Sequence, residues 1–417
     1  MIKWKDFVKP EILFLLGTLQ ALSPYVLWYF LGSNASYHYE ITYLPIIIWT
    51  VGYIFFWLGT KVIRINPSVQ SKLFIKLSLG STKLAILGTI ALVIVQIVQA
   101  VRLYGILPIY GYITGSANVL EVNEIQRESG FGQLGSLTAS LFLLNGILLI
   151  LFIKGFEAKN KPKLFFFLAS CVEIFGSLVA GKRQGLLIFI TFLLCGLSIQ
   201  FGNPLKPILK FFALPSNRVV RTVIYSSVIG ALVLLIGFLS SLRMGTGSEV
   251  SGIDEILNYL QYPLINLEAQ CEEIGLGPYK YNLLYPLLTL LPFKAYETIA
   301  PPLNELPFRP EPTIGAGFYG SIHWGMGLVG IVFYAFIFGM ISKFFYKKSS
   351  TSLFHLLVYC QISWTLLSAH TYNHFFTLIF LPIPTILFFV FCLLFNRTNS
   401  HEETASHETN QSLPVKS

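Results

Sequence analysis

Two adjacent cations stand where a membrane chain has little reason to keep them. Lys182 and Arg183 sit in Gly181-Lys182-Arg183-Gln184-Gly185, a tight turn with an apolar run on either side. With almost no loop around them they stay close to the membrane surface, and they need an anionic partner. Arginine offers a fork of donors and lysine a point charge, a combination that suits a phosphate or diphosphate. Snorkelling to lipid headgroups, or pairing with a loop carboxylate, would satisfy them as well. Arg243 ends another apolar run just before the flexible Met244-Gly245-Thr246-Gly247, and Arg102 ends a third. Each of these alone reads as an interfacial anchor, and together they could converge on one ligand.

The histidines are the second set. His323 lies in Tyr319-Gly320-Ser321-Ile322-His323-Trp324-Gly325, while His370 and His374 bracket a short turn between two apolar runs. A near-neutral imidazole at a membrane face can take a proton from a hydroxyl. A metal site at the second pair needs unbroken helix through both residues, which the turn argues against, and a hydrogen-bonded interfacial histidine is the plainer alternative for each. Glu173 falls inside an apolar run, about 13 to 15 Å along a helix from Arg183 at 1.5 Å per residue. A charged acid there costs several kcal/mol. A structural role, protonated or bonded to Gln96, Gln99 or Asn145, is favoured over a functional one. No Walker loop, GxSxG, HExxH or EF-hand pattern is present.

The elements that must position these residues follow from composition. With 54% hydrophobic and only 12% charged residues, the chain of 417 has too little polar surface to coat a soluble globule. We expect an all-α polytopic integral membrane protein. The net charge of +9 then marks loops held on the cytoplasmic side, not nucleic acid. The five cysteines contain no CxxC pair, so neither a disulfide framework nor a zinc site follows, and no cofactor is implied. The first apolar run lacks a small-residue cleavage pattern and reads as a retained helix.

About 20 mainly apolar residues make a span. Ten such runs are predicted, at 12–31, 41–59, 84–104, 134–153, 164–180, 186–201, 222–242, 318–342, 353–368 and 375–395. Lys and Arg gather before the first run and after every even-numbered one, ending with Lys343, Lys347 and Lys348 after the eighth. By the positive-inside bias both termini are cytoplasmic. Residues 1–242 thus carry the first seven spans, 243–317 a large extracytoplasmic loop, 318–397 the last three spans and 398–417 a polar, disordered tail. The large loop holds nine of the 21 prolines and nine of the 20 carboxylates. Within it Ser251 and Asp254 form a capping-box pattern. The helix they open should break at Pro263, with a second running to Glu273. A lid resting on the membrane interface is the expected result.

These features resemble the oligosaccharide repeat unit polymerase family, the Wzy-type O-antigen and capsule polymerases. The likeness is carried by the turn Gly181-Lys182-Arg183, by Arg243 closing the span before the long loop, and by the aromatic, glycine-rich span after it, from Phe318-Tyr319 through Trp324-Gly325, Gly327, Gly330 and Gly339. Lys182 replaces a usual small residue, and His323 falls near a place often held by Asp or Asn. The resemblance implies a GT-C-like glycosyltransferase in the bacterial inner membrane, acting on its outer face. Its substrate would be an undecaprenyl-diphosphate-linked oligosaccharide, with membrane lipid and a chain-length regulator protein as further candidate partners. Lys182, Arg183, Arg243 and Arg102 would then stabilise the departing lipid diphosphate. His323, His370, His374 and the loop carboxylate Glu311 are the candidate general bases. An O-antigen ligase would use the same cations with another acceptor. A flippase or transporter, which belongs to a different class, should show discontinuous helices and polar groups near the midplane.

Overall fold

The structure, a computed structural model, describes residues 4–20, 22–23, 42–64, 183–204, 252–278, 317–370 and 381–393, with isolated helical positions between 87 and 149 and between 223 and 230. For 183–186 and 252–259 it describes the backbone alone. These residues form helices and turns with no strand among them. In chain order the helices are α1 (Trp4–Phe7), α2 (Pro10–Gln20), α3 (Tyr43–Val62), α4 (Arg183–Phe201), α5 (Gly252–Ile274), α6 (Gly317–Lys348), α7 (Leu353–Leu367) and α8 (Pro382–Leu393).

α3 and α6 are long and apolar enough to cross a membrane. Their outward faces carry exposed apolar side chains, among them Ile46, Ile54 and Leu58 on α3 and Val329 and Phe333 on α6. Such faces are unfavourable in water and suited to hydrocarbon. α4, α7 and α8 include shorter apolar stretches. Of the ten runs predicted from sequence, five overlap these helices, and α2 covers part of the first.

α3 and α6 are the axis of the bundle. A Cβ on Gly59 would collide with the Phe336 carbonyl, and one on Gly339 with the Phe56 carbonyl, so the two backbones touch where they cross. Small residues permit that approach, and close packing is what holds helices together where lipid is as apolar as the side chains. Gly52 meets Ile331 higher along the same pair, so α3 and the later part of α6 run parallel. Phe14 of α2 stacks on Phe56, with ring centroids 4.1 Å apart. Cys195 of α4 lies 3.0 Å from the Ser363 hydroxyl of α7. At the lysine-rich end, Lys343 meets Glu11 at 3.1 Å, while the hydroxyls of Tyr346 and Tyr359 donate to the carbonyls of Lys5 and Val8. The N-terminal segment is thereby pinned under α6 and α7.

α6 is not one rod. At Gly327 the backbone takes φ 60°, ψ −157°, a region open in practice to glycine alone. The chain folds back there. Phe318 packs on Phe338 with centroids 5.8 Å apart, and both Ile322 and Met326 crowd Gly330. Residues 317–326 are thus a short arm lying antiparallel against residues 328–348, with its tip at Gly327. The later part is about 30 Å long at 1.5 Å per residue, enough to span by itself. The arm is anchored by Tyr319, which packs on Trp49 and Phe14 and shares a 3.2 Å hydrogen bond with Thr18.

α5 departs from the sequence expectation. Pro263 does not break it, and the helix runs unbroken from Gly252 to Ile274. Proline inside a helix costs about 3 kcal/mol. The compensation is non-local, because residues 263–271 are all buried. Leu264, Ile265 and Leu267 alone bring about 1.5 to 3 kcal/mol each by leaving water. The stretch 263–271 is buried on every face, while Glu272 and Glu273 after it are exposed. α5 is a packed element of the bundle, against α3 and α6.

Candidate functional site

The groups able to do chemistry meet where α5 crosses the Thr42 end of α3 and the tip of the α6 hairpin. Thr42 caps α3, accepting the Leu44 N–H at 3.3 Å, and its hydroxyl donates to Oε2 of Glu268 at 3.1 Å. Glu268 is 1 % exposed, and its Oε1 has no hydrogen-bond partner. One turn further along the same face, Cys271 has its thiol pushed up to about 12, by burial first and by the Glu268 carboxylate second. One more turn brings Gly275, which closes the helix through its N–H to the Cys271 carbonyl at 2.8 Å. The chain then seats against the hairpin tip. The Leu328 N–H donates to the Leu276 carbonyl at 3.1 Å, and a Cβ at Gly327 would strike Leu276, Gly277 and Pro278.

His323, on the arm, is the other half of the site. It is 0 % exposed, beside the Gly275 backbone, and neither ring nitrogen makes a hydrogen bond of good geometry. The sequence expectation of an interfacial histidine meets a different environment, because the fold-back at Gly327 tucks the arm between α5 and the spanning part of α6. A buried polar atom without a partner costs about 1 to 3 kcal/mol. Finding a carboxylate oxygen without a partner and a poorly satisfied imidazole at one junction therefore calls for an explanation in function or in a bound species.

His370 stands at the opposite end of the arm. It lies beyond the end of α7 and is 2 % exposed, and burial lowers its imidazole to about 4, against a smaller opposing effect of the Leu367 carbonyl. The arm begins against it. The Phe318 N–H donates to the Ala369 carbonyl at 2.7 Å, and Gly317 packs on the His370 backbone. Five residues of helix separate Phe318 from His323, about 8 Å of rise, so the structure brings both histidines to the same short arm.

Of the four cations, Arg102 is exposed on helical backbone, and Arg183 opens α4 with its side chain outside the description. The expectations for Lys182, Arg243, Glu311, His374 and Glu173 fall outside the described residues. Sequence reasoning missed Glu268 and Thr42. The signal for Glu268 was present: it shares with Leu264, Leu267 and Cys271 the three-and-four spacing of one helix face. An acid on an apolar face is the informative exception.

Among the described residues no group of three or more His, Cys, Asp and Glu side chains is placed to hold a metal. Compared with family models, curated proteins and solved structures, the chain has no match in any of the three.

Proposed function

We propose that this chain is a polytopic membrane glycosyltransferase that joins undecaprenyl-diphosphate-linked oligosaccharide repeats on the outer face of a bacterial inner membrane. The observation that carries the reading is the gathering of poorly satisfied polar groups, Glu268 and His323, at one end of the helices. Lys61, Lys343, Lys347 and Lys348 mark the other end. The parallel run of α3 and α6 supports it too, since alternation through ten spans gives the second and the eighth the same direction. The lysine-rich end is then cytoplasmic and the Glu268 end faces out, where sugars arrive on lipid and not on nucleotides.

The chemistry this end would perform is a displacement. A hydroxyl of the acceptor repeat attacks the anomeric carbon of the donor, and the bond from that carbon to the diphosphate oxygen breaks. The lipid diphosphate leaves with the electron pair, and the hydroxyl proton passes to a base. The leaving group gains charge, which Lys182, Arg183, Arg243 and Arg102 would stabilise.

Transport is the second reading, and the α6 hairpin favours it. A helix interrupted at Gly327 beside buried polar groups has the character of a translocation site. The test is the electrophoretic profile of lipid-linked and surface glycan from cells lacking the gene and from cells carrying it. Glycan stopped at one repeat in the deleted strain supports the polymerase. Single repeats trapped on the cytoplasmic side point to a flippase, and full-length polymer left on undecaprenyl points to a ligase.

A further inference from the structure

Resting on the polymerase reading, we propose that Glu268 is the group that takes the proton from the acceptor sugar, with His323 binding a second hydroxyl of the same glycan.

Glu268 is half-satisfied in a way that suits a base. Thr42 occupies Oε2, leaving Oε1 buried and without a partner. An isolated buried acid with no function is expected to bond on both oxygens or to be replaced by an apolar residue, because the open oxygen is a standing cost. His323 offers one donor and one acceptor nitrogen in its neutral form; one side of the ring faces the Gly275 backbone, and neither nitrogen makes a hydrogen bond of good geometry. The two side chains belong to one face of the junction: Glu268, Cys271 and Gly275 succeed one another along α5, and Gly275 is the backbone beside His323. The spacing from residue 268 to residue 275 is two turns, about 10 Å, the reach of a short run of sugar rings. A ligand rich in hydroxyls, each both donor and acceptor, complements an acceptor-only carboxylate and an imidazole together.

Entry requires α5 to separate from α3. The contact there includes one hydroxyl-to-carboxylate bond from Thr42, which a sugar hydroxyl can replace, while the Leu276–Leu328 backbone bond keeps the far end of α5 on the hairpin. In the step itself, the acceptor O–H bond breaks as its oxygen bonds the donor's anomeric carbon. The proton goes to Oε1 of Glu268, and the lipid diphosphate departs with the bonding pair.

The experiment is complementation of a deletion strain with wild type, Glu268→Gln and His323→Gln, reading polymer, lipid-linked single repeats and membrane protein level. Glu268→Gln keeps shape and the Thr42 bond while removing the base. The expected result is at least a hundredfold loss of polymer with single repeats accumulating and the protein level unchanged. For His323→Gln a smaller loss that high repeat concentration restores is expected. Wild-type polymer from Glu268→Gln overturns the assignment and leaves the polymerase reading standing. Disappearance of the Glu268→Gln protein from the membrane also overturns it, by making Glu268 a structural group. If wild type itself restores no ladder, the polymerase reading fails, and this assignment with it.

Discussion

The hydroxyl of Thr42 lies 3.1 Å from Oε2 of Glu268, joining the start of a spanning helix to a helix of the long loop 226 residues away. The same hydroxyl caps α3 through the Leu44 N–H. Thr42→Val removes both bonds and keeps the shape. A cap is worth about 1 kcal/mol, and a hydrogen bond to a charged group somewhat more. Because Thr42 is itself exposed, a total loss of about 2 kcal/mol is expected, with Thr42→Ser near wild type. Thermal melting of the detergent-solubilised protein decides: equal midpoints for Val and Ser would show that the bond to Glu268 contributes nothing.

Gly327 is the hinge pin of the α6 hairpin. Its backbone conformation costs any other residue about 1 to 3 kcal/mol, and an added Cβ would stand 2.8 Å from the Leu276 carbonyl oxygen and 2.9 Å from the Pro278 nitrogen. Gly327→Ala should push α5 off the tip and release the Leu328 amide. Hydrogen exchange read by mass spectrometry should then speed up in the peptide holding Leu328 and remain unchanged around Gly59 and Gly339. Unaltered exchange at Leu328 would mean that the tip does not depend on glycine.

The apolar runs were legible because apolar composition is a local signal: 41–59 and 353–368 fall on α3 and α7 within a few residues, whereas 318–342 straddles the turn at Gly327 and takes in the arm and only part of the long segment after it. What was not legible depended on partners distant in sequence. Gly320, Gly325, Gly327 and Gly330 look alike in the chain, and only the seat formed by Leu276–Gly277–Pro278 selects Gly327 as the turn. Pro263 carries a strong local signal for a break, and the burial of residues 263–271 overrides it. His323 was found as a candidate, yet its complete burial comes from a fold-back that no periodicity announces. Glu268 was counted among loop carboxylates because the loop was read as surface.

The cations give a prediction that is independent of the junction. If Arg183 and Arg243 stabilise the leaving diphosphate, Arg183→Ala and Arg243→Ala should each lower polymer output by about a hundredfold or more, with normal accumulation in the membrane. Full polymer from either variant would remove that residue from the diphosphate site.

Glu11 and Lys343 form an ion pair with both side chains 12 % exposed. Removing one partner of such a pair leaves a buried charge and costs about 3 to 5 kcal/mol, whereas replacing both with apolar residues is often neutral. Glu11→Gln should therefore destabilise by about 3 kcal/mol, and the double variant Glu11→Leu/Lys343→Met should recover most of it. A double variant no better than the single one would show that the pair itself, and not its imbalance, holds α2 to α6.

His370 makes stability depend on pH in a definite sense. Its ordinary value of 6.5 falls to about 4 in the folded protein because burial disfavours the charged ring. A base with a depressed folded value binds a proton more readily when unfolded, so acid favours the unfolded chain. The stabilisation is complete above about 6.5 and is lost as pH falls to about 4, where the folded form also protonates. The difference corresponds to about 3 kcal/mol across that window. Gln at this position keeps polarity without titrating. Melting points of wild type and His370→Gln measured from pH 7.5 to 4.5 should therefore diverge, with wild type falling more steeply below pH 6.5. Parallel curves would place the acid sensitivity elsewhere and imply that the ring protonates without disturbing the start of the α6 arm.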